Sequence, residues 1–257
     1  FDRADRRFLM DAARNTSREI YVNKLLLPNP FLTGPAAGLP NESVEDHLPC
    51  TLEFPDPEPW RDRGARGAGW HVEADRYAVL SSGGKDSLLS FGLLQEMGAK
   101  VHPVFVNESG RHWFTALNAY RHFGANQPLT TRVWTNSDRM FSWFLRMLPF
   151  IRRDFQSVRS DEYPLRLWTV AIFVFAALPV VRARGLGRIV MGDEHDTTVR
   201  SRHRGIPHYN GLYDQSRWFD NAMSRYFRRK GWGASQFSLL RQCSELLIEK
   251  ILVERYP

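Results

Sequence analysis

The sequence predicts an α/β fold: an open parallel sheet with helices on both faces, plus C-terminal helices and a small N-terminal appendage. From residue 74 onward, short apolar runs alternate with helical patterns, which is typical of a parallel sheet. Polar residues follow each apolar run, so the predicted strands end at one polar edge. Residues 28–69 are rich in proline and glycine and break this alternation. We therefore divide the chain into an appendage and linker at 1–70 and a main domain at 71–257.

The individual elements are predicted from apolar runs and from the residues that break them. A charged helical segment is expected at 2–27. Strands are expected at 77–81, 101–106, 131–135 and 188–191, and helices at 86–97, about 113–123, 138–148, 164–184, from 216, and at 235–256. We also expect a short strand at 51–54, a flexible linker at 61–69, a polar surface connection at 151–162 and an irregular polar stretch at 192–214. Gly98 is expected to close the helix at 86–97 in a left-handed conformation.

The charge of the chain favours an anionic partner. The formal net charge is +7 and the pI about 9.7, which suits ATP, an anionic small-molecule or nucleotide-linked substrate or, as a less favoured partner, RNA. The same charge equally fits a soluble protein rich in arginine. The cysteines, Cys50 and Cys243, form neither a C-x-x-C pair nor a disulfide framework, which favours the reducing cytoplasm. The most apolar run, residues 167–181, is shorter than the roughly 20 residues that span a bilayer, so we expect no membrane partner.

Residues 82–87 read Ser-Gly-Gly-Lys-Asp-Ser and lie between a predicted strand and a predicted helix. Two glycines let the backbone come close to a ligand. The first turn of the helix directs N–H groups and the positive end of the helix dipole at that ligand. Ser82 and Ser87 add hydroxyl donors, and Lys85 adds a positive charge. These features predict a phosphate-binding loop; the alternative is an empty tight turn with a surface lysine.

The loop resembles the Ser-Gly-Gly-x-Asp-Ser loop of the PP-loop (N-type) ATP pyrophosphatases, the adenine nucleotide alpha-hydrolase-like group. It differs from the common P-loop because Asp86 follows the lysine and Val79 stands where that motif has its first glycine. The resemblance implies a Rossmann-like HUP fold, ATP and Mg²⁺ as cofactors, and cleavage of ATP to AMP and pyrophosphate. It also implies a set of cofactor-binding residues: Ser82, Gly83, Gly84, Lys85, Asp86, Ser87, Val106 and Gly192.

Acidic residues follow the fourth predicted strand, in the sequence Gly-Asp-Glu-His-Asp at 192–196. Mg²⁺ is bound in proteins through one or two carboxylates together with phosphates. Related enzymes carry a Gly-His-x-x-Asp-Asp type of loop here, whereas this chain keeps the glycine and reorders the other residues. The candidate metal ligands are Asp86, Asp193, Glu194 and Asp196. The alternative is that Asp193 and Asp196 cap a helix.

Residues 200–216 form a long basic and aromatic stretch, and long ordered loops are often functional. Arginines in such a loop can hold phosphate or carboxylate groups bidentately. His203, His208, Tyr209 and Asp214 are candidates for proton transfer. With Lys85 and Asp86 of the first loop, the two histidines and Asp214 form the candidate catalytic set. The alternative for each histidine is an ordinary hydrogen-bonded loop residue.

A second resemblance concerns residues 191–216, 237–241 and 244–246, and extends over 77–256. These segments look like the ATP-dependent UDP-N-acetylmuramoyl-L-alanyl-L-glutamate epimerases (the MurL-like family). That resemblance implies adenylation of the terminal glutamate carboxylate of a peptidoglycan precursor, loss of the α-hydrogen, inversion, and release of AMP by water. The positive charge of the chain suits such a UDP-linked acid.

Other functions remain open. One is a PP-loop amide-forming ligase or a tRNA- or nucleobase-modifying enzyme, and another is a non-catalytic nucleotide- or RNA-binding module. The absence of a C-x-x-C pair argues against the thiolating tRNA enzymes. Residues 1–70 carry no obvious amidohydrolase nucleophile, which argues against the glutamine-dependent synthetases. The complete Ser-Gly-Gly-x-Asp-Ser loop argues against a module without catalysis.

Overall fold

The computed structural model describes residues 1–40, 42–55, 69–110, 112–160, 162–165, 168–209 and 212–256. Within these residues the strands are β1 (Glu73–Leu80), β2 (Lys100–Asn107), β3 (Thr131–Trp134), β4 (Leu186–Val190), β5 (Arg200–His203), β6 (Ile206–Tyr209) and β7 (Ser235–Phe237). Five of them form a parallel sheet in the order β3-β2-β1-β4-β7, and β5 and β6 pair as an antiparallel hairpin. The predicted α/β class with a parallel sheet is confirmed.

The helices lie between and after these strands. They are α1 (Arg3–Ile20), α2 (Lys85–Glu96), α3 (His112–Asn126), α4 (Ser137–Met147), α5 (Thr169–Ala183), α6 (Arg217–Arg229) and α7 (Glu245–Arg255). The chain moves from β1 outward to β2 and β3, and then crosses back to place β4 on the other side of β1. This reversal puts the switch point of the sheet between β1 and β4, where open α/β sheets bind ligands.

Alternate residues of the strands face two different apolar layers, as the pleat of a strand requires. Ala78, Leu80 and Ile189 pack into a core with α5 and α6. Val79 and Val190 face the opposite way and pack with side chains of α2 and α3. The strands therefore read as nearly continuous apolar runs, and helices cover both faces of the sheet.

Helix α1 packs on the same side of the sheet as α5 and α6. Its Phe8 belongs to the core of that side and stacks on Tyr226 at 4.7 Å between ring centroids. At the start of α1, Asp2 and Asp5 accept hydrogen bonds from Lys230 Nζ at 2.6 and 3.1 Å. The division of the chain near residue 70 stays a prediction, and the predicted linker lies outside the described residues except for Gly69.

The structure corrects the prediction of one continuous helix at 235–256. Residues Ser235–Phe237 form β7 on the edge of β4, and α7 begins only at Glu245. The spacing of Phe237, Leu240 and Leu247 is typical of one face of a helix. In the structure, however, Phe237 and Leu240 pack into different apolar clusters. The prediction of irregular structure at 192–214 was also wrong in part, because the β5–β6 hairpin lies inside that stretch.

Three smaller corrections concern loops. Residues 151–162 are not simply a polar surface connection, because Ile151 and Phe155 are buried in a small core with Phe31. No strand forms at 51–54. Helix α5 begins at Thr169 rather than at residue 164, because Trp168 has a left-handed backbone with φ 51°. Within the part of the chain that the structure describes, no helix combines the length and the apolar character needed to cross a membrane.

Candidate functional site

A cavity of about 300 Å³ opens at the carboxyl ends of β1, β2 and β4, at the switch point of the sheet. We name each wall of the cavity after the strand at whose carboxyl end its residues lie. The β1 wall consists of Leu80, Ser81, Ser82, Asp86 and Ser87. The β4 wall consists of Met191, Gly192, Asp193 and Gln215, and the β2 wall of Val104, Val106 and Glu108. Side chains of α3 and α5 complete the cavity: His112, Trp113, Ala116, Thr169, Val170 and Phe173.

The loop after β1 is shaped by short hydrogen bonds between neighbouring residues. Ser81 Oγ accepts a hydrogen bond from Gly83 N at 3.1 Å and lies 3.0 Å from Ser87 Oγ. Ser87 Oγ also donates to the carbonyl of Gly84 at 2.9 Å. Gly83 has φ +76°, and a Cβ there would lie 2.8 Å from Ala119 Cβ. The loop therefore requires glycine at this position both for its backbone conformation and for lack of space.

The first turn of α2 is left accessible at this loop. Gly84 precedes the helix, and no side chain of the described residues caps it. Helix N-termini carry N–H groups without intrahelical partners and a partial positive charge. Asp86 and Ser87 of this turn line the cavity. The arrangement is that of an anion-binding helix N-terminus at the end of a parallel strand.

Gly192 brings the end of β4 into direct contact with this turn. A Cβ at Gly192 would lie 2.7 Å from Asp86 Cβ, 2.9 Å from Asp86 C and 2.9 Å from Ser87 N. These distances are shorter than carbon and nitrogen atoms tolerate, and two of the three atoms belong to the backbone. A glycine is therefore needed here to join the β1 and β4 walls.

Lys85 and Asp86 form a charged pair at the edge of the loop. Lys85 Nζ lies 3.4 Å from Asp86 Oδ2 and 3.1 Å from Glu245 Oε1 at the start of α7. Burial alone would lower the pKa of Lys85, but the hydrogen bond to Glu245 and the charge of Asp86 raise it above its usual value. Lys85 is not part of the cavity lining. Asp86 is, and its Oδ1 is buried without a hydrogen-bond partner among the described residues.

The β4 wall is held by one buried arginine. Arg241 Nη2 lies 3.3 Å from Asp193 Oδ2 and 2.8 Å from Asp220 Oδ2. Arg241 Nη1 donates to Thr197 Oγ1 at 2.9 Å and to the carbonyl of Gln215 at 2.7 Å. The guanidinium thus joins the residues after β4 to the turn before α6 and to α6 itself. Burial raises the pKa of Asp193 well above its usual range, against the opposite effect of Arg241.

The predicted metal ligands lie in different surroundings. Asp86 and Asp193 line the cavity, but Asp193 is engaged by Arg241 rather than capping a helix. Glu194 is half-buried, and burial raises its pKa. Asp196 is exposed, and its Oδ2 accepts a hydrogen bond from Glu245 N at 3.5 Å. In the described ranges, no group of three or more His, Cys, Asp or Glu side chains is placed to hold a metal ion.

A Mg²⁺ ion that arrives with phosphates needs only one or two protein carboxylates. Asp86 fits that requirement, because it lines the cavity beside the glycine loop and its buried Oδ1 has no hydrogen-bond partner in the described part of the chain. The assignment of Asp86, Asp193, Glu194 and Asp196 to the metal stays a prediction.

The four candidates for proton transfer after β4 do not line the cavity: His203, His208, Tyr209 and Asp214. His203 and His208 belong to the hairpin, where His208 Nε2 lies 3.0 Å from Ser201 Oγ. Asp214 is buried and accepts hydrogen bonds from the N–H groups of Val170 at 2.8 Å and Ala171 at 3.3 Å. It thereby caps α5, although burial raises its pKa to about 6. Asp214 positions the part of α5 that lines the cavity.

Several cavity residues received no role from the sequence. His112 and Trp113 at the start of α3, Phe173 of α5 and Gln215 were not distinguished from structural residues. For the β2 wall, the spacing of residues in the sequence could have indicated which side chains face the cavity. Val104 and Val106 stand two residues apart on a strand and so face the same side, and Glu108 continues this spacing beyond the strand end. The cavity thus combines an apolar wall, a buried carboxylate and the N-terminus of α2.

Comparison with known proteins adds little to this geometry. No family model matches the chain, and no curated protein sequence matches it. Among solved structures, the chain is similar to a protein of Methanocaldococcus jannaschii described as a predicted subunit of tRNA methyltransferase. The two are 15% identical, the likeness covers 70% of this chain and 74% of that one, and the TM-score is 0.41. A likeness of this degree carries no functional implication.

Proposed function

We propose that the protein is an enzyme that cleaves ATP to AMP and pyrophosphate and thereby adenylates a substrate carboxylate. The observation that carries the proposal is the loop at residues 82–87, which presents an uncapped helix N-terminus to a cavity at the switch point of a parallel sheet. Its sequence resembles the loop of the PP-loop ATP pyrophosphatases in all of its fixed positions. From that resemblance we infer that this protein also cleaves ATP to AMP and pyrophosphate.

The shape of the cavity supports a nucleotide as ligand. Its polar side, with Ser82, Asp86 and Ser87, suits phosphate groups. Its apolar side, with Val104, Val106 and Phe173, suits a purine ring. The volume of about 300 Å³ lies at the small end of the range for small-molecule sites.

Three residues of the β1 wall, Ser82, Asp86 and Ser87, then have roles. The N–H groups at the start of α2 and the hydroxyls of Ser82 and Ser87 bind phosphate oxygens and orient the α-phosphorus toward the substrate. Asp86 would hold Mg²⁺, which supplies charge neutralisation for the departing pyrophosphate. The substrate carboxylate attacks the α-phosphorus, pyrophosphate leaves, and the acyl-adenylate later reacts with its acceptor to release AMP.

The preferred substrate is an anionic acid. Our specific proposal, from the resemblance of residues 191–194 and 213–216 to the MurL-like epimerases, is epimerisation of the terminal L-glutamate of a UDP-linked muramoyl peptide. Adenylation makes the α-hydrogen more acidic, so a base removes this proton and a proton from the solvent is added on the opposite face before water releases AMP. The second candidate is modification of an RNA base through its adenylated carbonyl, which the basic stretch at 200–216 favours.

The test is the product formed from ATP. With Mg²⁺ and a panel of acids, we expect AMP and pyrophosphate, and we expect Asp86→Asn to abolish them. Asp154→Asn is the matched control, because Asp154 is exposed and pairs with Arg152 away from the cavity. Formation of ADP and phosphate, or equal activity of the two variants, would contradict the proposal. For the epimerase, the product formed in D₂O should carry deuterium at the α-carbon, and an epimerised product without deuterium excludes proton abstraction.

A further inference from the structure

We propose that a surface column of Arg18, Tyr209, Trp218 and Arg200 is a second anion site, which binds phosphate groups of the substrate outside the cavity. We call it the arginine–aromatic column. It lies on three elements, because Arg18 belongs to α1, Arg200 and Tyr209 to the hairpin, and Trp218 to α6. The inference rests on the proposed function in one respect, namely that the other end of the same ligand reacts in the cavity.

The two rings hold the two guanidiniums in place. Tyr209 and Trp218 stack at 4.6 Å between ring centroids, with 28° between their planes. The Cζ of Arg200 lies 4.6 Å from the centroid of Trp218, and that of Arg18 lies 5.6 Å from the centroid of Tyr209. Arg200 and Tyr209 are also direct partners across the hairpin. Contacts of this kind restrict an arginine that would otherwise move freely, so less entropy is lost when it binds a ligand.

The charge of this surface is not neutralised within the described part of the chain. Arg200 has no carboxylate within ion-pair distance, and Arg18 donates to the neutral side chain of Asn15 at 3.1 Å. More exposed arginines on the hairpin and α6 are likewise without an ion-pair partner among the described residues: Arg202, Arg204, Arg217 and Arg225. By contrast, Arg7, Arg14, Arg76 and Arg255 all form ion pairs. The hairpin and α6 therefore present several arginines without an ion-pair partner, among the described residues, on neighbouring elements.

The column begins close to the rim of the cavity. Gln215 lines the cavity, and Trp218 follows it by three residues in the chain. The base of the hairpin is tied to the same turn, because Thr197 Oγ1 donates to the carbonyl of Gln215 at 3.1 Å and Arg217 N donates to Thr198 Oγ1 at 3.3 Å. A ligand that extends out of the cavity past Gln215 therefore meets the column.

Phosphate is the anion that suits such a surface. Guanidinium groups bind phosphate oxygens through two parallel N–H bonds, and several arginines on three elements match a ligand with more than one phosphate. The two rings are stacked on each other and contacted by the guanidiniums, so the column favours binding of phosphates by its arginines over stacking of bases on its rings. The shared chemistry can come from a nucleoside diphosphate attached to a small acid or from the phosphodiesters of RNA.

The test is a titration of the full chain with two probes, uridine diphosphate and a single-stranded RNA of about 20 nucleotides. A non-hydrolysable ATP analogue is present throughout, so that the cavity is occupied. Arg18→Gln/Arg200→Gln removes two charges from the column. The matched control is Arg139→Gln/Arg146→Gln, which removes two charges from the exposed face of α4. Tyr209→Leu removes a supporting ring and leaves every charge in place.

We expect one probe to bind the wild type and to bind the column variant about tenfold more weakly or worse, with a smaller dependence on salt. The control variant should keep the wild-type affinity, and Tyr209→Leu should fall between the two. The probe that binds identifies the source of the phosphates. The inference is overturned if neither probe binds the wild type, or if the column and control variants weaken equally. If the ATP analogue does not bind the wild type at all, the result contradicts the proposed function instead. The two failures are therefore distinguishable.

Discussion

The β1 wall of the cavity is made of neighbouring residues, whereas the β4 wall is held together by residues far apart in the chain. Along the β1 wall, the hydrogen bonds of Ser81 and Ser87 span at most six residues. Along the β4 wall, Arg241 bonds to Asp193 and Gln215, which are 48 and 26 residues away. The first wall depends on backbone conformation and the second on paired charges. Changes in the backbone of the first wall should therefore affect ligand binding, and changes in the charge network of the second should affect stability.

The largest effect is expected for Arg241→Met. It leaves Asp193 and Asp220, both almost fully buried, without their cation, and breaking a buried ion pair in this way costs about 3–5 kcal/mol. Urea unfolding should report this loss. Arg255→Met is the matched control, since Arg255 pairs with Glu96 at the surface and such pairs contribute about 0–1 kcal/mol. Equal losses in the two variants would show that the β4 wall does not depend on its charge network.

The next effect is a dependence of stability on pH that originates from Glu19. This buried side chain of α1 accepts a hydrogen bond from Tyr213 N, next to the cap of α5. Burial raises its pKa to about 8, and the nearby Asp214 adds to the rise. The folded protein therefore binds a proton that the unfolded chain has lost, so stability falls as the pH rises toward 8.

Glu19→Gln should remove this dependence. Between pH 6 and 8 we expect the free energy of unfolding of the wild type to fall by about 2 kcal/mol more than that of the variant. Asp214, with a pKa of about 6, titrates mostly below this window. Glu254→Gln is the control, because Glu254 is exposed on α7 and should leave the slope unchanged. A wild type that is equally stable at pH 6 and pH 8 would contradict the assignment.

The contrast between the two walls also explains what the sequence could predict. The place of the loop at 82–87 between a strand and a helix, the left-handed Gly98 with φ +72° and the start of a helix at Ser216 were predicted correctly. Each depends on residues adjacent in the chain, where glycine and serine have characteristic positions. Of the predicted site residues, Ser82, Asp86, Ser87, Val106, Gly192 and Asp193 line the cavity, and most belong to such local features.

Features that depend on distant partners were missed. Strand β7 has three residues and is a strand because the edge of β4 is available to it. The hairpin turns at Arg204 and Gly205, whose φ angles of 46° and 92° are both positive as in a type I′ turn, but the pair lacks the usual Asn-Gly or Asp-Gly signature. Arg241 lay in a segment predicted to be helical, and nothing near it in the sequence indicates its buried partners.

A smaller effect, on binding rather than stability, is expected for Gly192→Ala. The new Cβ would press on the backbone of Asp86 and Ser87 and displace the first turn of α2 from the position in which it binds phosphate. We expect ATP to bind about tenfold more weakly, or about 1.4 kcal/mol, in a variant that still folds. The comparison is Gly124→Ala in α3, where a Cβ meets no atom within 4 Å. If Gly192→Ala binds ATP with unchanged affinity, the contact between the two walls is not needed for ATP binding, which would argue against the proposed site.

The last comparison concerns two serine caps. Ser216 caps α6 beside the β4 wall, is fully buried and also donates to the carbonyl of Tyr213 at 2.6 Å. Ser244 caps α7, which packs on α2, and is exposed. Loss of a serine cap costs about 0.5–2 kcal/mol, so we expect Ser216→Ala near the upper end and Ser244→Ala near the lower end in urea unfolding. Ser216→Ala also leaves a buried carbonyl with one donor fewer. The amount by which its loss of unfolding free energy exceeds that of Ser244→Ala therefore measures how strongly the β4 wall depends on buried polar contacts. A larger loss for Ser244→Ala would reverse the comparison and place the more sensitive structure beside α2.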